Sequence, residues 1–338
     1  MSGGPLPIAV SGGEPAGIGV EIALKARAAM DGALPFFVIA DLGHVEAAAR
    51  GGPVAPVRIA LPDDAAAAMA HGLPVLHLPF PGPATPGRPQ PAQAGAVVEA
   101  IARAVAEVQA GRAAALCTLP IHKAALKSGA GFAFPGHTEY LAHLAGGGAH
   151  PVMMLAAEAL DPPLRVVPAT VHVPLSAVPG LVSPALIEET IRITHAGLVR
   201  DFGIPRPRIA VAGLNPHAGE SGSMGHEDAA IIAPVVARLA AEGLAVTGPH
   251  PADTLFHPAA RACHDAVVAM YHDQALIPLK TLDFAGGVNV TLGLPLVRTS
   301  PDHGTALDIA GRGVADASSL VAALRLAARM AAARGVAR

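Results

Sequence analysis

The sequence has no tryptophan, two tyrosines and two cysteines, and only 14% of its 338 residues are charged. Cys117 and Cys263 cannot supply a disulfide framework, and without a C-x-x-C spacing they form no thiolate metal motif, which fits a reducing compartment and two core thiols. Net charge is −3 and the basic residues are scattered, so no Lys/Arg stripe marks the chain as a partner of nucleic acid or of an anionic membrane. No continuous apolar run reaches the roughly 18 residues needed to cross a bilayer. The opening MSGGPLPIAVSGG also lacks the basic segment and long apolar stretch of a signal peptide, and the expectation is a cytoplasmic protein. A Rossmann fingerprint is missing too. SGGEPAGIGVEIALKA (11–26), with Gly17 and Gly19, follows a strand and opens a helix, the right context for an anion or dinucleotide. It lacks G-x-G-x-x-G and has no acidic residue at the expected distance on a second strand.

What the sequence does have is length and alternation. A chain of this size exceeds what one core usually supports, so two domains are expected, with a cleft between them for a small molecule. Short apolar runs alternate with Ala-rich helical stretches, the pattern of an α/β fold with a largely parallel sheet. Strands are expected at 7–10, 36–40, 114–119, 152–157, 165–171, 208–214 and 265–271, and helices at 19–30, 94–111, 183–203 and 227–243. A terminal helix is expected within 317–338, with Arg near its carboxyl end, where cations suit the helix dipole. Residues 74–92 (PVLHLPFPGPATPGRPQPA) hold too many prolines for a helix or central strand and are expected to form an extended surface connection.

Three of the expected strands run into a polar loop carrying a histidine: His172 in ATVHVPL, His217 in GLNPHAGESG and His272 in AMYHDQ. Ligands of open α/β sheets bind outside the carboxyl ends of the strands, so three imidazoles could meet there around a divalent ion with a fourth position left for substrate. The chain has 16 histidines, however, and the long intervals between these three are unlike the local H-E-x-x-H signature. Spacing alone leaves open whether they bind metal or are ordinary surface and core histidines.

Other polar groups cluster in short stretches. FPGHTEYLAHLAG places His137 and Thr138 between a Pro-Gly turn and a helix, where side chains and free backbone N–H groups suit a phosphate, although Thr138 could be a plain helix cap. Lys280, Asn289 and Arg298 follow His272 and form a set suited to an anionic, hydroxylated substrate; each taken alone is an ordinary surface group. HGTALDIAGRG (303–313), with His303, Gly304, Thr305 and Asp308, could wrap the adenosine half of a cofactor or simply precede the last helix.

Taken together and in order, GEPAGIGVEI, PIHKAAL, FPGHTEYLA, TVHVPL, GLNPHAGE with GHED, GPHPADTLF, YHDQALIPLK and GVNVTLGLPLVRTSPDHGTALDIAGRG resemble the 4-hydroxythreonine-4-phosphate dehydrogenase family of pyridoxal 5'-phosphate biosynthesis. The resemblance runs from about residue 7 to residue 320. It implies a two-domain α/β/α fold like that of isocitrate and isopropylmalate dehydrogenases, with the active site in the interdomain cleft, and a homodimer with shared sites. It implies oxidation of 4-phosphooxy-L-threonine with NAD or NADP and one divalent ion per site, whether zinc, magnesium or cobalt. His172, His217 and His272 map onto the metal ligands, and His137, Thr138, Lys280, Asn289 and Arg298 onto the substrate contacts. The loop 303–313 maps onto the cofactor loop, with Gly17 and Gly19 on the same side, and Glu14 stands where many members carry Asp.

Residues 1–126 with 300–338 are expected to form the cofactor-side domain and 127–299 the metal-binding and dimerisation domain. Asp253, Asp273 and Lys280 are the candidates for general base, with Asp273 better suited to orienting a histidine. The rival readings are a related dehydrogenase acting on a four-carbon sugar-acid phosphate or a dihydrodiol acid, a non-redox phosphate acyltransferase or metal hydrolase on the same scaffold, and a ligand-binding protein without catalysis.

Overall fold

The structure is a computed structural model that describes residues 5–30, 34–146, 148 and 150–336. The chain divides into two units, 1–151 with 294–338, and 152–293. The chain around the helix His137–Leu144 is anchored in the first unit's core. Phe132, Tyr140 and Leu141 are buried there beside the helix Ala94–Gln109, and the rings of Phe132, Phe134 and Tyr140 pack with centroids 5.1–5.5 Å apart.

The first unit contains β1 (Ile8–Ser11), β2 (Phe36–Ala40), β3 (Pro56–Ile59), β4 (Leu73–His77) and β5 (Ala115–Thr118); the second contains β6 (Val152–Ala157), β7 (Leu164–Pro168), β8 (Arg208–Ala212), β9 (Ala245–His250), β10 (Ala266–Ala269) and β11 (Val288–Leu292). The chain then returns to the first unit with β12 (Arg298–Pro301).

In the first unit the strand order is β3-β4-β2-β1-β5-β12, with the pairs parallel. Alternate side chains of these strands enter opposite layers. Ala9, Phe37, Ile39 and Leu116 pack against the helix Ala94–Gln109, while Thr299 on β12 donates to the carbonyl of Ala323 in the terminal helix Ser318–Ala333. Burial on both faces explains why β1, β2 and β5 are continuous apolar runs rather than alternating ones. The terminal helix ends at Ala333, and residues 337–338 of the expected helix lie outside the described residues.

The expectation that residues 74–92 contain no central strand is overturned at its start, since β4 lies between β3 and β2 and includes Pro74. The ladder tolerates the proline for a local reason. The Leu73 N–H donates to Ala55 on the β3 side, so the donor that Pro74 lacks would point towards β2, whose pairing begins only at Val75. The rest of the segment is pinned rather than loose. Gln90 and Gln93 donate side-chain hydrogen bonds to the carbonyls of Pro81 and Pro83, and the Gly87 N–H donates to Ala16.

In the second unit the order is β11-β6-β7-β10-β8-β9, antiparallel across β11, β6 and β7 and parallel from β7 to β9. Leu155, Val166, Ala210 and Val267 form a core with Ala275 and Leu279 of the helix His272–Leu282. The helix expected over 227–243 begins instead with a π-helical turn, Asp228–Ile232, before the α-helix Ala233–Ala241. A π-turn marks an inserted residue and is frequent near functional sites.

Candidate active-site residues

The first cluster lies in the first unit. The aromatic packing of Phe132, Phe134 and Tyr140 fixes the entry to the helix His137–Leu144, whose N-cap is Gly136. A Cβ on Gly136 would stand 3.4 Å from Cε and Nζ of Lys123, so the glycine lets the ammonium approach the helix entry. His137 Nε2 is buried without a hydrogen-bond partner among the described residues. Burial, then the neighbouring cations Arg298 and Lys123, hold the imidazole well below its usual range, and it is neutral near pH 7. Arg298 is itself buried and donates from Nη2 to Thr118 Oγ1 at 2.7 Å. Desolvation pulls its pKa down to about 10, which leaves it protonated near neutrality. Two cations and an orphaned imidazole nitrogen beside a helix N-terminus suit an oxyanion such as phosphate.

Of the expected substrate residues, the fold therefore brings His137, Thr138 and Arg298 into one unit, while Lys280 and Asn289 belong to the other. Lys280 lies on the helix His272–Leu282 with its ammonium 5.0 Å from the centre of the Phe284 ring, and Asn289 sits on β11 opposite Leu155.

The two glycine-bearing loops meet within the first unit. The Ile18 N–H donates to the Thr305 carbonyl at 3.1 Å, and a Cβ on Gly17 would come within 2.9 Å of the same oxygen. A Cβ on Gly19 would lie 3.1 Å from the Gly12 carbonyl. The structural use of these two glycines is close backbone approach. His303 keeps a buried Nε2 with no hydrogen-bond partner among the described residues, whereas Asp308 and Gly304 are exposed. Glu14, buried in the first loop, accepts from the Ala16 N–H, and burial raises its pKa.

The second cluster is in the second unit. β7, β10 and β8 are neighbouring parallel strands, and His172, His272 and His217 follow their carboxyl ends. His172 and His272 have ring centroids 5.8 Å apart. Two imidazoles on one tetrahedral ion, with bonds of about 2.0–2.1 Å, would place their centroids roughly 5 Å apart, a little closer than this pair. Among the described residues no three His, Cys, Asp or Glu side chains converge closely enough to hold a metal ion.

Two of these three histidines have strained backbones. His172 has φ 55°, and His217 opens a run, His217 to Ser221, in which all five residues are left-handed. Such a conformation costs about 1–2 kcal/mol for each non-glycine residue and persists where the surroundings impose it, a recurrent feature of functional sites.

His272 Nδ1 lies 2.7 Å from Asp273 Oδ1, the arrangement in which a carboxylate orients a ligand imidazole. A cavity of about 240 Å³ is lined by Thr170, His172, Tyr271, His272 and Asp273. A second, of about 200 Å³, brings Asp253 and Asp273 together with Phe256, Tyr271 and Gln274. Lys280 lines neither.

Lys123, Glu14, Asp228 and Gln274 carry no role that the sequence alone makes visible. Lys123 lies in PIHKAAL, Asp228 in GHED and Gln274 directly after Asp273. For Glu14, Lys123 and Gln274 the signal in the sequence is a polar residue shortly after a strand end.

The family model described as pyridoxal phosphate biosynthetic protein PdxA matches residues 33–327. A protein of Paracoccus denitrificans named 4-hydroxythreonine-4-phosphate dehydrogenase is 57% identical over 335 residues, covering 97% of this chain and 98% of its own. The crystal structure of 4-hydroxythreonine-4-phosphate dehydrogenase from Klebsiella pneumoniae superposes with a TM-score of 0.84 at 41% identity, covering 96% of this chain and 99% of that one. A terephthalate 1,2-cis-dihydrodiol dehydrogenase from Burkholderia xenovorans is more distant, with a TM-score of 0.64 at 27% identity over 96% and 98% of the two chains. The two-unit α/β architecture, the ordered motifs and these likenesses place the chain in the PdxA family of pyridoxal phosphate biosynthetic proteins.

Proposed function

We propose that the chain oxidises 4-phosphooxy-L-threonine with NAD or NADP and a divalent metal ion, in pyridoxal 5'-phosphate biosynthesis. The product is 2-amino-3-oxo-4-phosphooxybutanoate, a β-keto acid that loses CO2 to give 3-amino-2-oxopropyl phosphate. The reading is supported by the family membership, and the observation that carries it is the set of imidazoles at three adjacent strand ends, two on strained backbone.

His172, His217 and His272 would hold the ion, which when bound lowers the pKa of an oxygen ligand and eases loss of the hydroxyl proton. The reading includes a homodimer with shared sites, which rests on the family membership. Asp273 orients the His272 ring through Nδ1, so that the opposite nitrogen carries the lone pair. His137, Thr138 and Arg298, with Lys280 and Asn289, would hold the phosphate and the polar groups of the substrate. Fixing the phosphate sets the register of the carbon chain, so its loss harms rate as well as affinity. Asp253, Asp273 and Lys280 are the candidate bases for the hydroxyl proton, the two carboxylates sharing a cavity. Gly17, Gly19, His303, Gly304, Thr305 and Asp308 would hold the nicotinamide cofactor, which when bound would accept the hydride from the alcohol carbon.

A dihydrodiol acid lacks the phosphate that the His137, Lys123 and Arg298 group suits, so it is the weaker substrate reading. The test is NADH or NADPH formation by purified protein with 4-phosphooxy-L-threonine, with four-carbon sugar-acid phosphates and with a dihydrodiol acid, before and after chelation. Turnover of the threonine phosphate that disappears with chelator and returns with zinc, magnesium or cobalt supports the reading. Preference for another substrate, or turnover indifferent to chelation, overturns it.

A further inference from the structure

The turn that carries His217 cannot hold its shape from local preference alone, because four non-glycine residues in a row of five have positive φ. Two side chains from elsewhere in the second unit grip its base. Asp228, almost fully buried at the start of the π-helical turn, accepts from the Leu214 N–H at 2.7 Å, from the Asn215 N–H at 3.1 Å and from Asn215 Nδ2 at 2.9 Å. The chain wraps this carboxylate so closely that a Cβ on Gly213 would lie 2.7 Å from Oδ1, and one on Gly219 3.3 Å from Oδ2. Gln274 works from the other side. Its Oε1 accepts from the Met270 N–H at 2.7 Å, and its Nε2 donates to the Gly213 carbonyl at 2.8 Å. One amide thereby ties the end of β10, which leads to His272, to the end of β8, which leads to His217.

We propose that Asp228 and Gln274 are positioning residues that fix the strand-end segment 213–221, so that His217 presents its imidazole in one orientation. Neither group need touch substrate or cofactor; each acts through backbone groups of Gly213, Leu214 and Asn215. This rests on the reading of His217 as a metal ligand. It extends that reading by explaining what sustains the strained turn and why a glutamine follows the His-Asp pair. Partners outside the ligand shell ordinarily alter metal affinity about 10–100-fold when removed.

The experiment measures Co2+ binding to the purified full chain by titration calorimetry and by the visible absorption of the bound ion, which reports its coordination. Wild type is compared with Asp228→Asn, Gln274→Glu and His217→Ala. Asp228→Asn keeps the side-chain shape but turns an N–H2 towards backbone donors. Gln274→Glu keeps the acceptor for Met270 and removes the donor to Gly213. The expected result is wild-type circular dichroism, Co2+ binding weakened about 10–100-fold in both positioning variants, and an altered visible spectrum. A purely structural role would lower melting temperature without changing the spectrum of the ion that still binds, and that result overturns the proposal. So does wild-type affinity with a wild-type spectrum in both variants while His217→Ala loses binding. Should His217→Ala bind Co2+ as wild type does, the ligand reading itself fails. If Asp228→Asn does not fold, Gln274→Glu decides the matter alone.

Discussion

The imidazoles of His172 and His272 face one another across the ends of two neighbouring parallel strands, with centroids 5.8 Å apart and with His172 held at φ 55°. A position that favours glycine is occupied by a histidine, so backbone preference and the proposed ligand role pull in opposite directions. Replacing His172 by Gly should relieve the strain that His172→Ala retains, making the Gly variant about 1 kcal/mol more stable than the Ala variant. Both should lose metal-dependent turnover by several orders of magnitude. Denaturant unfolding of the two variants, alongside NADH formation with and without added Zn2+, checks both halves. Retained turnover in metal-free buffer would contradict the ligand assignment.

His137 gives a pH dependence with a definite sign. Its folded-state pKa is pushed down, by burial first and then by Arg298 and Lys123, whereas an unfolded histidine titrates near 6.5. The unfolded chain therefore binds a proton before the folded chain does. The stability that His137 contributes is fully present above about pH 6.5 and is lost as pH falls from there towards the folded value. His137→Gln should flatten the fall in stability between about pH 7 and pH 5, measured by urea unfolding at a series of pH values. An unchanged slope would mean that the ring is not held neutral.

Much of this was legible in the sequence because the strands that matter are short apolar runs ending abruptly in polar residues. β7, β8 and β10 could be read with the histidines that follow them, since a buried parallel strand leaves the core where its ligand-facing loop begins. β4 could not, because a proline counts against a central strand until it is known which neighbour its missing donor would face. The edge strand β9 was hidden for a related reason, since AVTGPH carries both glycine and proline. The extent of the first unit turned on three aromatic rings, Phe132, Phe134 and Tyr140, whose mutual packing is tertiary and has no sequence period. Asp228 and Gln274 were invisible as a pair, because what joins them is a shared backbone segment far from both in the chain.

The two thiols should differ sharply. Cys117 lies fully buried in β5, where desolvation pushes its pKa up to about 12, and the thiolate that reacts with electrophiles is scarcely populated. Cys263 is exposed. Titration with a disulfide reagent near pH 8 should modify one thiol per native chain rapidly and both only in denaturant. Fast modification of both in the native protein would contradict the packing around Cys117.

Arg298 provides the most discriminating test of the proposed phosphate end. Its pKa of about 10 leaves the guanidinium charged at neutral pH although it is buried, and the 2.7 Å bond to Thr118 fixes the direction of one of its donors. A buried charge held in that way is well placed to receive an anion, because solvent screens it little. A charge-assisted hydrogen bond of about 1.5–3 kcal/mol corresponds to roughly 10–150-fold in affinity, so Arg298→Ala should weaken binding of the phosphorylated substrate by that factor. NAD binding should change far less. Arg298→Lys should recover only part of the loss, because an ammonium is a single point charge without the planar fork, and burial lowers its pKa further. Calorimetric titration of each variant with the substrate and with NAD separates the two ends of the site. Equal losses for both ligands would show that Arg298 supports the fold of the first unit rather than gripping phosphate.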